Sequence, residues 1–247
     1  MTTQLAEKNQ ELAEKLSGLK QVKSPQELLQ GLKSQERVDK LLLVLLDCSG
    51  SMGDRLKDSS NQIQPFQTTS NQSSPSHAKP YQTKLQIAWK VLQQQLTPNL
   101  LGWTYGVVAF GEDIRWEVTP TTNTQALITR DTPVPRGFTP MGKALQFAWS
   151  WVRTNVKQAR FIMLTDGQAN DMPKEQILEK ARDNAGIPID CVGIGHGTFD
   201  YDKEFLEKLS SITGGVFYEV DTVKLLADTI KRLSPNERPL LGIVREE

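Results

Sequence analysis

The most informative stretch of the sequence is LVLLDCSGSM at residues 43–52, where oxygen-bearing side chains follow an apolar run. Asp47 ends the run, and Ser49 and Ser51 follow at alternate positions, with Gly50 between them allowing a tight turn. A carboxylate and two hydroxyls that converge on one point form a hard, oxygen-only site, which Mg²⁺ or Ca²⁺ prefers. Alone, this spacing is weak evidence, because such a triplet also occurs by chance.

Two later segments supply further oxygen atoms. RGFTPMG places Thr139 directly before a predicted helix, where it would be the N-cap with Pro140 as the first helical residue. RFIMLTDG places Asp166 after another apolar run. Ligands of doubly wound sheets bind at the carboxyl ends of the strands, so all three segments are expected to meet at one edge. Taken singly, the serines could be turn formers, Thr139 a plain cap and Asp166 a turn residue.

Short apolar runs, typical of strands buried on both faces, recur along the chain. They are residues 41–46, 103–110, 160–165, 187–195 and 215–220. Amphipathic helical patterns lie between them, at 84–96, 141–155, 174–184, 203–212 and 222–233. This alternation predicts an α/β fold with a doubly wound, mostly parallel sheet and helices on both faces. Residues 112–118 follow Phe110 after one glycine and predict an antiparallel edge strand.

The remaining segments define the expected domain organisation. Residues 1–38 predict a helical N-terminal appendage, with a capping box that starts at Ser24, and it could pack on the main domain or bind a partner. The main domain is expected at 39–233. Residues 57–83 are rich in Ser, Thr, Asn and Gln and predict a polar insertion loop beside the site. It could select partners or be a tolerated insertion. Residues 234–247 predict a tail, either a weak strand or an extended arm.

Composition narrows the class of protein. Lys and Arg total 29 and Asp and Glu total 29, so zero net charge removes the electrostatic argument for nonspecific nucleic-acid or membrane-surface binding. No apolar stretch approaches the roughly 20 residues that span a bilayer. The N-terminus has no apolar core of a signal peptide. We therefore expect a cytoplasmic protein.

Cys48 and Cys191 are expected to be reduced, buried thiols, because they form neither a CxxC motif nor a metal pair.

The pattern as a whole resembles the von Willebrand factor A family over about residues 39–233. The metal-ion-dependent adhesion site of that family is a DxSxS loop followed by a distant threonine and a distant aspartate. The matching residues here, in the family's order, are Asp47, Ser49, Ser51, Thr139 and Asp166. The resemblance implies that the serines bind a divalent cation directly, the threonine directly or through water, and the aspartates often through water. Mg²⁺ is the expected cation, with Mn²⁺ or Ca²⁺ possible, since oxygen ligands suit all three.

The resemblance also implies a function. One coordination position of the cation stays open, and an Asp or Glu of a partner protein can fill it. The chain is therefore expected to be a non-enzymatic binding module, whose partner by analogy could be an ATPase, a kinase or a phosphatase. The alternative is a metal-dependent hydrolase of phosphate or other esters, in which the cation activates water. His77 and His196 have no evident partners for a catalytic triad.

Aromatic residues give two further expectations. Phe138 stands beside Thr139 in the loop predicted to face the site, and a large apolar residue in an exposed loop is often a recognition anchor. It could equally cover the domain's own surface. Trp89, Trp149 and Trp151 lie at helical spacing in amphipathic segments and are expected to be core residues, least obviously Trp151.

Overall fold

The computed structural model describes residues 37–56, 82–100, 102–196, 200–237 and 242–243. The predicted helices of the N-terminal appendage, with the capping box at Ser24, lie outside the described residues. So does the predicted polar loop, except for its last two residues. These predictions therefore stay predictions.

Within the described ranges, seven strands form one sheet. They are β1 (Val38–Asp47), β2 (Thr104–Phe110), β3 (Ile114–Thr121), β4 (Val156–Thr165), β5 (Ile189–Ile194), β6 (Phe217–Val220) and β7 (Gly242–Ile243). The order is β3–β2–β1–β4–β5–β6, with β7 paired to β4. Strands β2, β1, β4, β5 and β6 run parallel, and β3 is antiparallel to β2. The predicted mostly parallel sheet with an antiparallel edge strand is confirmed, and β7 adds a short second antiparallel pairing.

Helices follow the strands in the predicted alternation. They are α1 (Lys84–Val91), α2 (Gln125–Ile128), α3 (Met141–Asn155), α4 (Lys174–Asp183), α5 (Lys203–Thr213) and α6 (Val223–Leu233). The sequence predicted one helix over 84–96, but the α-helix gives way to a π-helical turn at Leu92–Leu96. A 3₁₀ turn at Thr97–Asn99, with proline at its second residue, then ends the helical segment.

The core lies on both faces of the sheet. Because side chains of a strand point alternately to opposite faces, β1 contributes to both apolar clusters. Leu42, Val44 and Leu46 join the cluster under α1 and α6, and Leu41, Leu43 and Leu45 join the cluster under α3, α4 and α5. The predicted placement of helices on both faces is thereby confirmed.

Of the tryptophans and cysteines predicted to be buried, all except Trp151 are fully buried. Trp89 and Trp149 belong to the two clusters, and Cys48 and Cys191 are buried free thiols. Trp151 is partly buried and packs edge-on against Trp116, with ring centroids 5.2 Å apart. Trp151, for which the sequence indicated a core position least clearly, lies at the margin of the core.

The strand order reverses at β1, which has β2 on one side and β4 on the other. The connection from β1 to β2 contains α1 on one face, and the connection from β3 to β4 contains α3 on the other. Such a switch leaves a crevice at the carboxyl ends of the two central strands, where doubly wound sheets bind ligands. Asp47 ends β1 and Asp166 follows the last residue of β4.

Candidate metal centre

Asp47 lies at the bottom of the crevice and is fully buried. Its Oδ1 accepts a hydrogen bond from Ser49 N at 2.8 Å, and its Oδ2 accepts one from Thr165 Oγ1 at 2.6 Å. Burial raises the pKa of Asp47 to about 7, although both hydrogen bonds favour the ionised carboxylate. A positive charge placed beside this buried carboxylate would stabilise its ionised form.

The two serines stand above Asp47 and reach the end of β4. Ser49 Oγ and Ser51 Oγ are 3.2 Å apart, and Ser51 Oγ donates to Asp166 Oδ1 at 2.8 Å. Ser49 is buried whereas Ser51 is exposed, so the cluster opens to solvent on the side of Ser51. Gly50 N donates to Gly137 O at 3.1 Å, which ties the serine loop to the loop that carries Thr139.

The structure corrects the capping role predicted for Thr139. Helix α3 begins at Met141, and its N-cap is Pro140, so Pro140 is not the first helical residue. The Asp171 carboxylate caps the helix from another loop, accepting from Gly142 N at 3.1 Å and from Lys143 N at 2.8 Å. Because a tertiary contact supplies the cap, the Thr139 hydroxyl does not serve α3.

The Thr139 hydroxyl instead lies against the turn after β4. A β-carbon added at Gly167 would come within 2.7 Å of Thr139 Oγ1 and 3.4 Å of Asp47 Oδ2, so this hydroxyl sits close to the buried carboxylate. Thr139 N donates to Asn170 Oδ1 at 3.2 Å, and Asn170 N donates to Thr139 O at 3.3 Å. Asn170 and Asp171 therefore position the threonine loop, and sequence reasoning missed both.

The five predicted side chains therefore lie in one cluster of three hydroxyls and two carboxylates. In the described part of the chain, no group of three or more His, Cys, Asp or Glu side chains could hold a metal. The hydroxyls would have to contribute, and their spacing allows it. Two adjacent ligands of an octahedral Mg²⁺, each about 2.1 Å from the ion, are about 3 Å apart. The 3.2 Å between Ser49 Oγ and Ser51 Oγ fits that geometry.

Lys84 belongs to the site and was not predicted. It is only 5% exposed, its Nζ donates to Asp166 Oδ2 at 2.8 Å, and the same Nζ lies 3.8 Å from Asp200 Oδ2. Burial raises the pKa of Asp166, and the Lys84 ammonium opposes that shift by stabilising the carboxylate. Lys84 is the first residue of α1, where a cation is unfavourable beside the positive end of the helix dipole. A lysine at the first position of a predicted helix was therefore the feature of the sequence that could have indicated a nearby carboxylate.

Backbone contacts hold Lys84 in this position. Lys84 N donates to Asp54 O at 2.8 Å, and Thr83 forms an antiparallel bridge with Arg55. Thr83 also begins α1 with a capping box, since Gln86 N donates to Thr83 Oγ1 at 3.1 Å and Thr83 N donates to Gln86 Oε1 at 3.0 Å. The start of α1 is therefore fixed to the loop that follows Ser51.

An open cleft of about 650 Å³ lies between the turn after β2 and the start of α3. Phe138, Ile114 and Pro140 are among its lining residues. Phe138 is 78% exposed, so its ring does not cover the domain's own surface. Since Phe138 precedes Thr139, the cleft and the hydroxyl cluster are next to each other.

The sequence model of the von Willebrand factor type A domain family matches residues 41–232 of this chain. The chain belongs to this family. None of the curated protein sequences matches it. Across the residues that the structure describes, no helix combines the length and the apolar character needed to cross a membrane.

Solved structures of low sequence identity share the von Willebrand factor A fold of this chain. The ArnB paralog VWA2 from Sulfolobus acidocaldarius has a TM-score of 0.57 and 16% identity, over 80% of this chain and 46% of that one. An aerotolerance-related membrane protein from Bacteroides fragilis has a TM-score of 0.53 and 16% identity, over 78% of this chain and 96% of that one. Proximal thread matrix protein 1 from the mussel byssus, with zinc in its MIDAS motif, has a TM-score of 0.50 and 18% identity, over 80% of this chain and 46% of that one. The chain thus spans less than half the length of two of these proteins.

Proposed function

We propose that this von Willebrand factor A domain is a divalent-cation-dependent protein-binding module. Asp47, Ser49, Ser51, Thr139 and Asp166 would hold the cation, with Mg²⁺ expected and Mn²⁺ or Ca²⁺ also compatible with oxygen ligands. A bound cation would supply positive charge that attracts an Asp or Glu side chain of a partner protein. The five side chains would hold it at the solvent-facing end of the crevice.

The placement of the two serine hydroxyls carries this proposal. They are 3.2 Å apart, one of them is bonded to Asp166, and they lie between two buried carboxylates and solvent. Neutral hydroxyls leave much of the charge of a dication uncompensated, so a cation bound here would still attract a carboxylate from outside. The zinc in the MIDAS motif of the mussel protein supports cation binding in this fold.

Phe138 gives the partner a second contact beside the cation. A partner segment with an acidic residue on the cation could place a neighbouring apolar side chain against the exposed Phe138 ring in the adjacent cleft. Large apolar side chains of this kind dominate the energy of many interfaces. The partner would thus be recognised by an acidic residue followed or preceded closely by an apolar one.

Cation binding is tested first, with purified protein. Isothermal titration with MgCl₂ and MnCl₂ should give one site in the wild type, and the double variant Ser49→Ala/Ser51→Ala should lose it. Ser211→Ala, which removes an exposed hydroxyl from α5, is the matched control and should bind as the wild type does. Equal binding by the wild type and the double variant would overturn the proposed site.

Partner capture is tested by affinity pull-down from the native host. Wild type and Asp47→Ala are compared, each with Mg²⁺ and with EDTA, and the retained proteins are identified by mass spectrometry. A protein retained only by wild type with Mg²⁺ supports cation-bridged recognition, and an ATPase, kinase or phosphatase would be the expected kind of partner by family analogy. The same proteins in all four samples would show that the cluster is not the binding surface.

The alternative function uses the same residues. A metal-dependent hydrolase of phosphate or other esters would use the bound cation to activate water. Turnover of a generic phosphate ester that requires Mg²⁺ and disappears in Ser49→Ala would establish that activity in place of the binding function.

A further inference from the structure

The two oxygens of the Asp166 carboxylate accept from different donors, one neutral and one positively charged. Ser51 Oγ donates to Oδ1 at 2.8 Å, and Lys84 Nζ donates to Oδ2 at 2.8 Å. A cation bound by the serines would therefore approach Asp166 from the Oδ1 side, while the lysine ammonium already occupies the Oδ2 side. The ion pair is buried, since the side chains of Lys84 and Asp166 are 6% and 0% exposed.

Lys84 offsets part of the negative charge of the cluster. When Asp47 and Asp166 are both ionised they contribute two negative charges and Lys84 contributes one positive charge, which leaves a single net negative charge at the cluster. Asp200, 3.8 Å from Lys84 Nζ, is partly exposed at the rim and less effective because water screens it. A dication placed a few ångströms from a buried ammonium is repelled by it, and burial strengthens that repulsion.

We propose that Lys84 is a built-in counter-cation. It holds the Asp166 carboxylate in place when no metal is bound, and it lowers the affinity of the cluster for divalent cations. This inference rests on the proposed function, because it concerns the same cluster. The ligand it acts on is the divalent cation itself.

Replacing Lys84 would change the cation affinity in opposite directions depending on whether the lysine competes with the cation or only positions Asp166. If the lysine only positioned Asp166, its removal would loosen a ligand and weaken cation binding. If the lysine competes with the cation, its removal strengthens binding, because the dication then becomes the only positive charge available to Asp166. The direction of the change in affinity therefore separates the two roles.

The test is a titration of purified protein with MnCl₂, which serves as the probe for the site. Lys84→Gln removes the charge and keeps a hydrogen-bond donor, and it should bind Mn²⁺ about tenfold more tightly than the wild type, or better. Lys84→Met keeps the apolar stem of the lysine and provides the comparison if the glutamine variant does not fold. Lys90→Gln removes an exposed charge from the same helix and should leave the affinity unchanged.

Thermal unfolding gives a second, independent readout. Without metal, Lys84→Gln should melt at a lower temperature than the wild type, because Asp166 loses its buried counter-charge. With Mn²⁺ present, the rise in melting temperature should be larger in the variant than in the wild type, since tighter binding to the folded state stabilises it more. A variant that folds only with Mn²⁺ would be the extreme form of the expected result.

The possible outcomes separate this inference from the proposed function. Tighter Mn²⁺ binding by either neutral variant supports the inference, including the case in which the wild type binds no Mn²⁺ and the variant does. Wild-type binding with unchanged or weaker binding in both variants overturns the inference and leaves the cation site standing. Absence of Mn²⁺ binding in the wild type and in both variants overturns the inference and the cation site together.

Discussion

Thr165 Oγ1 donates a hydrogen bond of 2.6 Å to Asp47 Oδ2, which joins the last residue of β4 to the last residue of β1. The same hydroxyl accepts from Gly167 N at 3.1 Å. One buried threonine thus fixes the carboxylate at the bottom of the cluster and the turn that carries Asp166. The hydrogen bond therefore joins the two central strands at the edge of the sheet where the proposed cation site lies.

Replacing this threonine by valine should destabilise the protein. Thr165→Val keeps the shape of the side chain but leaves Asp47 Oδ2 buried without its donor, and the free energy of unfolding should fall by about 1–3 kcal/mol. Urea unfolding at neutral pH measures the change. Thr165→Ser retains the hydroxyl and serves as the control. Identical unfolding midpoints for the wild type and the valine variant would contradict the assigned bond.

Gly167 should be essential for the position of the Thr139 hydroxyl. In Gly167→Ala the new methyl group would lie 2.7 Å from Thr139 Oγ1, so the threonine must move away from the cluster. Affinity for Mn²⁺ should fall about tenfold or more, as is usual when groups that orient metal ligands are disturbed. Titration calorimetry measures the loss.

The control for this variant lies in the serine loop. A β-carbon at Gly50 would be 3.6 Å from Gly137 O, an ordinary contact, so Gly50→Ala should bind Mn²⁺ as the wild type does. Equal losses in the two variants would show that any added methyl group disturbs the site, and the specific link from Gly167 to Thr139 would then be wrong.

Phe138 should contribute to partner binding without affecting the cation. Phe138→Ala removes an exposed ring next to the cluster and should weaken the binding of the captured partner by about 2 kcal/mol, the usual size for an interface anchor. Mn²⁺ affinity should stay the same, because Phe138 contributes no oxygen ligand. Surface plasmon resonance with the partner identified by pull-down measures the first quantity, and titration calorimetry measures the second.

A second exposed apolar residue tests whether the effect is local. Leu225 on α6 is 41% exposed, and Leu225→Ala should leave partner binding unchanged. Equal weakening by both substitutions would argue against docking beside Thr139.

Asp202 should make stability depend on pH at acid values. Its Oδ1 accepts from Phe205 N at 3.1 Å as the N-cap of α5, and its Oδ2 pairs with Lys174. Burial opposes ionisation of Asp202, but the hydrogen bonds from Lys174 and Phe205 outweigh it and hold its pKa below the usual 3.8. A lowered pKa in the folded state means that the carboxylate stabilises the protein above the usual pKa and that this stabilisation disappears as the pH falls through the lower value.

The variant Asp202→Ala should therefore unfold about 1 kcal/mol more easily than the wild type near neutral pH. The difference should shrink as the pH falls from about 5 to about 2, where the wild-type carboxyl becomes protonated. Urea unfolding at several pH values measures it. Asp228→Ala, on the exposed side of α6, should change stability by less than about 0.5 kcal/mol. A difference for Asp202→Ala that stays constant at all pH values would contradict the assigned role of the carboxylate.

Sequence patterns predicted the main elements because their causes are local. The helix at Met141–Asn155 has the predicted bounds, since its apolar spacing is regular and the backbone becomes extended at Val156, directly after its last residue. The strand β1 extends beyond the predicted 41–46 at both ends, because Val38 and Lys40 pair with β4 despite their polar surroundings. Backbone pairing at the end of a strand follows the neighbouring strand and leaves only a weak signal in the local composition.

The meeting of Asp47, Ser49, Ser51 and Asp166 could also be predicted, for a topological reason. Carboxyl ends of adjacent parallel strands share one edge of the sheet, so residues that directly follow β1 and β4 must be neighbours once those strands pair. The spacing within DxSxS is short enough for the local chain to bring both hydroxyls together. Their identity as metal ligands stays a prediction that the titrations decide.

What only the tertiary structure decided are the contacts between residues far apart in sequence. Lys84 and Asp166 are separated by 82 positions, and Asp171 caps a helix that begins 30 positions earlier, at Met141. Neither contact leaves a local periodicity, because each depends on how loops from different strands pack at one edge. The sequence by itself determined the strands, the helices and the edge at which the hydroxyl and carboxylate side chains meet. Packing decided that Thr139 faces the cluster, leaving α3 to be capped by Asp171, and that the buried Lys84 pairs with Asp166.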